Sequence, residues 1–97
     1  MIEVLRKSSS TVIRPIGRFD YTCVKEFSAA LSPAASTWVV DFSGTDYVDS
    51  AGLGLLLLLR EHATEAGAKV KISGLAGRPR EILMLARFDR IFELGAA

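Results

Sequence analysis

The reactive side chains of this sequence gather in one stretch, Asp41-Phe42-Ser43-Gly44-Thr45-Asp46-Tyr47-Val48-Asp49-Ser50-Ala51-Gly52-Leu53-Gly54. Its centre is Ser50, with an acid before it and two glycines close behind. A serine at a loop-to-helix junction can serve as a nucleophile or as a helix cap. A nucleophile needs a base. The sole histidine, His62, lies twelve residues further on. On one helix rising 1.5 Å per residue that is about 18 Å, too far for a Ser–His pair. Asp41, Asp46 and Asp49 could be imagined around a cation, but the EF-hand spacing is absent and aspartates beside glycine are turn formers. Gly52-Leu53-Gly54 lacks the third glycine and the strand-turn context of a dinucleotide fingerprint, and there is no P-loop. Ser50 is left as a candidate helix cap, its hydroxyl able to accept an N–H of the first turn.

The elements around this stretch follow from Gly and Pro punctuation. Ile2 to Leu5 and Thr11 to Ile16 are strand-forming runs joined by the polar Lys7-Ser8-Ser9-Ser10, a hairpin pattern. Pro15 predicts an edge or a bulge in the second strand. Gly17-Arg18-Phe19-Asp20 ends it. Asp20 or Thr22 can cap a helix to about Leu31, with Val24, Phe27, Ala30 and Leu31 inward and Ser32-Pro33 closing it. Thr37-Trp38-Val39-Val40-Asp41-Phe42 is almost continuously apolar, as in a buried central strand. Gly44 to Ser50 reads as a loop, and Gly52 to Ala66 as a helix stopped by Gly67. Lys69 to Ser73 alternates as a strand with Val70 and Ile72 inward. Pro79 opens a third helix to about Arg87, Ile91 to Leu94 is a short last strand, and Gly95-Ala96-Ala97 is a tail. The order β-β-α-β-α-β-α-β predicts an α/β (α+β) fold with a mixed sheet of four to five strands and about three helices, in one domain over 1–97.

On a helical wheel at about 100° per residue, Leu55, Leu56, Leu59, Ala63 and Ala66 share the core face. Leu53, Leu57, Arg60, Glu61 and Thr64 share the solvent face with Ser50. Apolar surface rimmed by charge marks an interaction site. Gly52 and Gly54 weaken the first turn unless something must approach the backbone, so they too suggest docking. Trp38 and Phe42 are core candidates, and Cys23 packs as a small apolar residue. Arg78, Arg80, Arg87 and Arg90 form a solvated basic face or a minor contact to an acidic partner.

Twelve Lys and Arg against eleven Asp and Glu leave a net charge of +1. That lacks the basic surplus of a nucleic-acid binder or a polybasic membrane anchor. A single cysteine makes neither an internal disulfide nor a cysteine-based zinc site. Met1-Ile2-Glu3 opens unlike a signal peptide. The apolar run from Ala51 to Leu59 is far short of the roughly 20 residues of a membrane span. The expected protein is cytoplasmic and free of cofactor and metal.

Asp49-Ser50-Ala51-Gly52-Leu53-Gly54, after the strand Trp38 to Phe42, resembles the signature of bacterial STAS domains of the anti-sigma factor antagonist (anti-anti-sigma) type. Gly17-Arg18-Phe19-Asp20 resembles the glycine-to-aspartate step ending the family's second strand. Gly67-Ala68-Lys69-Val70-Lys71-Ile72-Ser73-Gly74 resembles its helix-to-strand turn. The resemblance implies a binding protein, not an enzyme, acting in transcriptional signal transduction by partner switching. An anti-sigma factor that is also a serine kinase phosphorylates the serine of this motif, and a serine phosphatase reverses it. Only the unphosphorylated form binds the anti-sigma factor and frees the sigma factor. By residue match Ser50 is the phosphosite. Asp46, Asp49, Ser50, Gly52, Leu53, Leu57, Arg60 and Glu61 form the expected partner-binding surface. Ala51 stands where many relatives have a second serine, so one acceptor is left. The sequence ends soon after Leu94, so the family's C-terminal helix is expected to be missing or short. Two alternatives stay open: a STAS subunit of a transporter ATPase complex, with Ser50 only a cap, and a phosphorylation-dependent adaptor for another signalling enzyme.

Overall fold

The computed structural model describes residues 1–95; Ala96 and Ala97 of the expected tail lie outside them. Strands β1 (Ile2–Lys7) and β2 (Ser10–Pro15) form the expected antiparallel hairpin. β3 (Gly17–Phe19) and a 3-10 turn (Tyr21–Cys23) lead into α1 (Val24–Ala30). Then come β4 (Thr37–Asp41), β5 (Thr45–Val48), α2 (Ser50–Ala66), β6 (Lys69–Ser73), α3 (Gly77–Leu85), a second 3-10 turn (Phe88–Arg90) and β7 (Glu93–Leu94). The main sheet runs β1-β2-β4-β6-β7, antiparallel at the hairpin and parallel elsewhere. It is the expected mixed sheet, and β4 is its central strand. Pro15 sits at the end of β2, beyond the register with β4, which covers Ser10 to Ile13. The edge on this side of the sheet is β1 instead.

Alternation gives this sheet one buried face. Ile13, Val40 and Ile72 lie side by side across β2, β4 and β6, and all are fully buried. Trp38 joins them from β4. The helices answer with Phe27, Ala30, Leu55, Leu56, Leu59, Ala63 and Leu83 in the same cluster. Each such leucine contributes roughly 1.5–3 kcal/mol of burial. In α1 the buried positions are Phe27 and Ala30, while Val24 is 43% exposed. Cys23, at the end of the 3-10 turn, takes the inward place expected of Val24. Its thiol donates to the carbonyl of Arg18.

The stretch expected to be a loop before Ser50 contains β5. It pairs in parallel with β3 as a separate two-stranded ribbon, with Arg18 beside Tyr47 and Phe19 beside Val48. Gly17, at φ +78°, breaks the chain away from β2 in a conformation that other residues resist, and its N–H donates to the carbonyl of Gly44. β3 is therefore an element of its own, not the tail of β2. The third helix stops at Leu85, short of Arg87, which adopts a left-handed backbone at φ +62°. Only Glu93 and Leu94 pair with β6 in the last strand.

Candidate functional site

The β3–β5 ribbon delivers the chain to the first turn of α2. The residue that caps this helix is Asp49, not Ser50. Its Oδ1 accepts the N–H groups of Ala51 at 3.0 Å and Gly52 at 3.1 Å. Asp49 has the extended backbone of a cap, and Ser50 is already the first helical residue. The sequence has acid and hydroxyl side by side, and either could cap. The backbone bend at Asp49 decides. The hydroxyl of Ser50 is thereby released: the residue is exposed, and its side chain has no hydrogen-bond partner among the described residues.

The two glycines separate. A Cβ on Gly52 would strike the carbonyl oxygen of Phe19 and lie 3.0 Å from its ring, so Gly52 is buried against β3 of its own chain. Gly54 is exposed, with nothing near a notional Cβ. Only Gly54 leaves open backbone that another molecule could approach.

Farther along α2, Leu55, Leu56, Leu59 and Ala63 are buried as the wheel requires, whereas Ala66 is exposed in the last turn. Gly67, left-handed at φ +69°, closes the helix there. Leu53 is half-buried and packs against the core, so it flanks the outer face and does not stand on it. Leu57 is 45% exposed and Leu58, which sequence reasoning missed, 43%. The same wheel could have flagged Leu58. Ser50, Gly54, Leu57, Leu58 and Glu61 thus form one exposed stripe. Arg60 borders it, with its Nε donating to the carbonyl of Ile91. Asp46 is exposed on β5. His62 is not idle: its ring meets Trp38 edge-on, with centroids 5.8 Å apart. Because Ser50 and His62 lie on one continuous helix, no Ser–His pair forms. Of the three aspartates, Asp41 pairs with Arg14 and Asp49 caps α2.

Leu57→Asp should cost little stability, since Leu57 is exposed. It should weaken partner binding more than tenfold, because the new carboxylate would be desolvated in the contact. Thermal melting beside a binding titration checks both. A melting point many degrees lower would mean that Leu57 supports the core.

A second feature invisible in the sequence lies on the ribbon. The guanidinium of Arg18 stacks over the ring of Tyr47, 4.2 Å from its centroid, while its Nε donates to Asp20 Oδ2 at 2.9 Å. Asp20 is 2% exposed. Its Oδ1 accepts from the Thr22 hydroxyl at 2.6 Å and the Thr22 N–H at 3.0 Å, capping the 3-10 turn before α1. The Thr22 hydroxyl first, then Arg18, hold the Asp20 carboxyl down to about 2. The depressed value means that Asp20 stabilises the fold fully above its unfolded pKa of about 4, and that this contribution is lost as pH falls toward about 2. Asp20→Asn keeps a capping oxygen but loses the charge. Its acid-unfolding curve should be flatter between about pH 4 and 2 than that of the parent. Urea melts across that range measure it, and parallel curves would contradict the account.

The family model described as "Mlab, STAS domain" matches residues 2–94. The chain belongs to the STAS family. It is 36% identical over 81 residues to a STAS-domain containing protein of Pseudomonas aeruginosa (strain UCBPP-PA14), with 80% of each chain covered. Among solved structures, an anti-sigma factor antagonist from Mycobacterium paratuberculosis superposes with a TM-score of 0.83 at 18% identity. That match covers 97% of this STAS domain and 83% of the other chain. The Bacillus cell fate determinant SpoIIAA in its phosphorylated form matches with a TM-score of 0.77 at 18% identity, covering 100% and 91%. At these identities the likeness is one of fold, and it agrees with the α/β architecture read from the sequence. No helix among the described residues of this STAS domain is long and apolar enough to cross a membrane.

Proposed function

We propose that this STAS domain is an anti-sigma factor antagonist that works by partner switching. Unphosphorylated, it binds an anti-sigma factor that is also a serine kinase, through the outer stripe of α2, and so frees a sigma factor. Phosphorylation of Ser50 blocks that contact, and a serine phosphatase restores it. The observation that carries this reading is the free, exposed hydroxyl of Ser50 at the first position of α2, in line with Gly54, Leu57 and Leu58. A phosphate there adds about −1.5 to −2 charges and is tolerated by the helix, whose N-terminus favours anions. The fold therefore survives while the contact surface changes. Support also comes from fold relatives described as an anti-sigma factor antagonist and as a phosphorylated cell fate determinant.

Incubation with the kinase and ATP, followed by phosphopeptide mapping, tests the reading. Ser50 should be the major acceptor, because no serine stands beside it. Labelling at Ser8, Ser9, Ser10 or Ser43 would defeat it. Binding to an ATPase irrespective of phosphorylation would favour a transporter subunit instead, and binding of the phosphorylated form alone would favour an adaptor.

A further inference from the structure

We propose that Arg18 is a positioning residue that clamps the phosphoryl group on Ser50, so that phosphorylation creates a paired guanidinium–phosphate surface at the start of α2. The inference rests on the reading of Ser50 as the phosphosite. Its basis is the way the ribbon holds Arg18. Arg18 and Tyr47 are register partners, and the two strands run on directly into Asp20 and Asp49, which cap the two helical segments that follow. Gly52 lies against the carbonyl of Phe19, so the end of β3 and the first turn of α2 are in contact.

The guanidinium is anchored twice, by Nε on Asp20 and by its face on Tyr47. Arginine carries five N–H donors in a rigid fork. Nε uses one, and the four on the terminal nitrogens meet no acceptor among the described residues. The side chain is 63% exposed. A preoriented fork with a free edge is the arrangement that binds phosphate bidentately. Three other arginines are engaged elsewhere: Arg6 on the carbonyls of Ala30 and Ser32, Arg14 on Asp41, Arg60 on Ile91. The groups that face Arg18 are Asp20, Tyr47 and Asp49. Its hydrogen bond to Asp20 raises its pKa most, and the charge of Asp49, the residue next to Ser50, also reaches it. Asp20 holds both Thr22 contacts on its other oxygen, so the capped turn does not depend on Arg18.

Phosphoserine installed at position 50 during translation, followed through a pH titration by 31P NMR, tests the clamp without a kinase. A free phosphoserine has a second pKa of about 6. A nearby cation favours the dianion and lowers it. Arg18→Gln should therefore raise the phosphate pKa by at least about half a unit over the wild-type value, and Arg18→Lys, which keeps the charge but loses the fork, should lie between. Superimposable wild-type and Arg18→Gln curves would overturn the proposal. If Arg18→Gln does not fold, the wild-type protein decides alone. The Arg18 Nε–H resonance must titrate with the phosphate, and a resonance flat through its midpoint overturns the clamp. Because the phosphoserine is incorporated during translation, these curves do not depend on the kinase. Failure of the partner-switching reading would show instead as a partner that binds both forms equally.

Discussion

Gly52→Ala should strip about 3 kcal/mol or more from the domain, a large part of the roughly 5–15 kcal/mol that holds a protein of this size together. The new methyl would meet backbone, which cannot rotate away as a side chain can. Its nearest neighbour is the carbonyl oxygen of Phe19, and Phe19 is held by its pairing with Val48 and by a ring in the core. Relief requires prising β3 from α2. Gly54→Ala is the contrasting case. It has open space around it, and alanine is better than glycine in a helix by about 1 kcal/mol. Its melting temperature should rise by about 4–8 °C. The same methyl should weaken binding of the proposed partner, because it fills open space on the outer stripe. Urea denaturation of the two variants settles the comparison; equal stabilities would mean that Phe19 does not wedge against α2.

Phosphorylation of Ser50 should lower affinity for the anti-sigma partner by more than a hundredfold, about 2.7 kcal/mol. A dianion would have to be desolvated beside Leu57 and Leu58, next to the carboxylate of Asp49. Ser50→Asp should bind more weakly than the parent but better than the phosphoprotein, since it carries one charge against nearly two. Ser50→Ala should bind at near parental strength and resist the kinase. Because Asp49 caps α2, neither substitution removes the cap, so all three proteins should melt within a degree or two of one another, as surface changes do. Calorimetric titration against the purified partner measures the series. Equal affinities for the parent and the phosphoprotein would leave Ser50 an ordinary surface serine.

The parts of this protein legible in its sequence are those governed by local pattern. The Thr37 to Phe42 run reads as an interior strand because it is almost continuously apolar, and β4 is central. The leucines of α2 declare their buried face because a helix repeats every 3.6 residues, and four of the five expected core positions are buried. Gly67 closes α2 because only a residue without Cβ adopts its left-handed turn cheaply. These depend on nearest neighbours along the chain, so chain order suffices to read them.

What chain order does not carry is pairing between distant segments. β5 carries loop-like signal in Asp46, with Gly44 before it and Asp49 after it, and becomes a strand only because β3 lies beside it. The same ribbon determines that Gly52 faces Phe19 while Gly54 faces outward, although both are glycines in one helical turn. It also brings Arg18 onto Tyr47 across a long separation in sequence. The choice of Asp49 over Ser50 as the cap follows from where the ribbon ends and the helix begins. The sequence alone therefore determined the main strands, the helices and the serine that stands out. The tertiary structure decided which carboxylate holds the helix and which hydroxyl is left free, because capping depends on backbone direction at a junction that two distant strands build together.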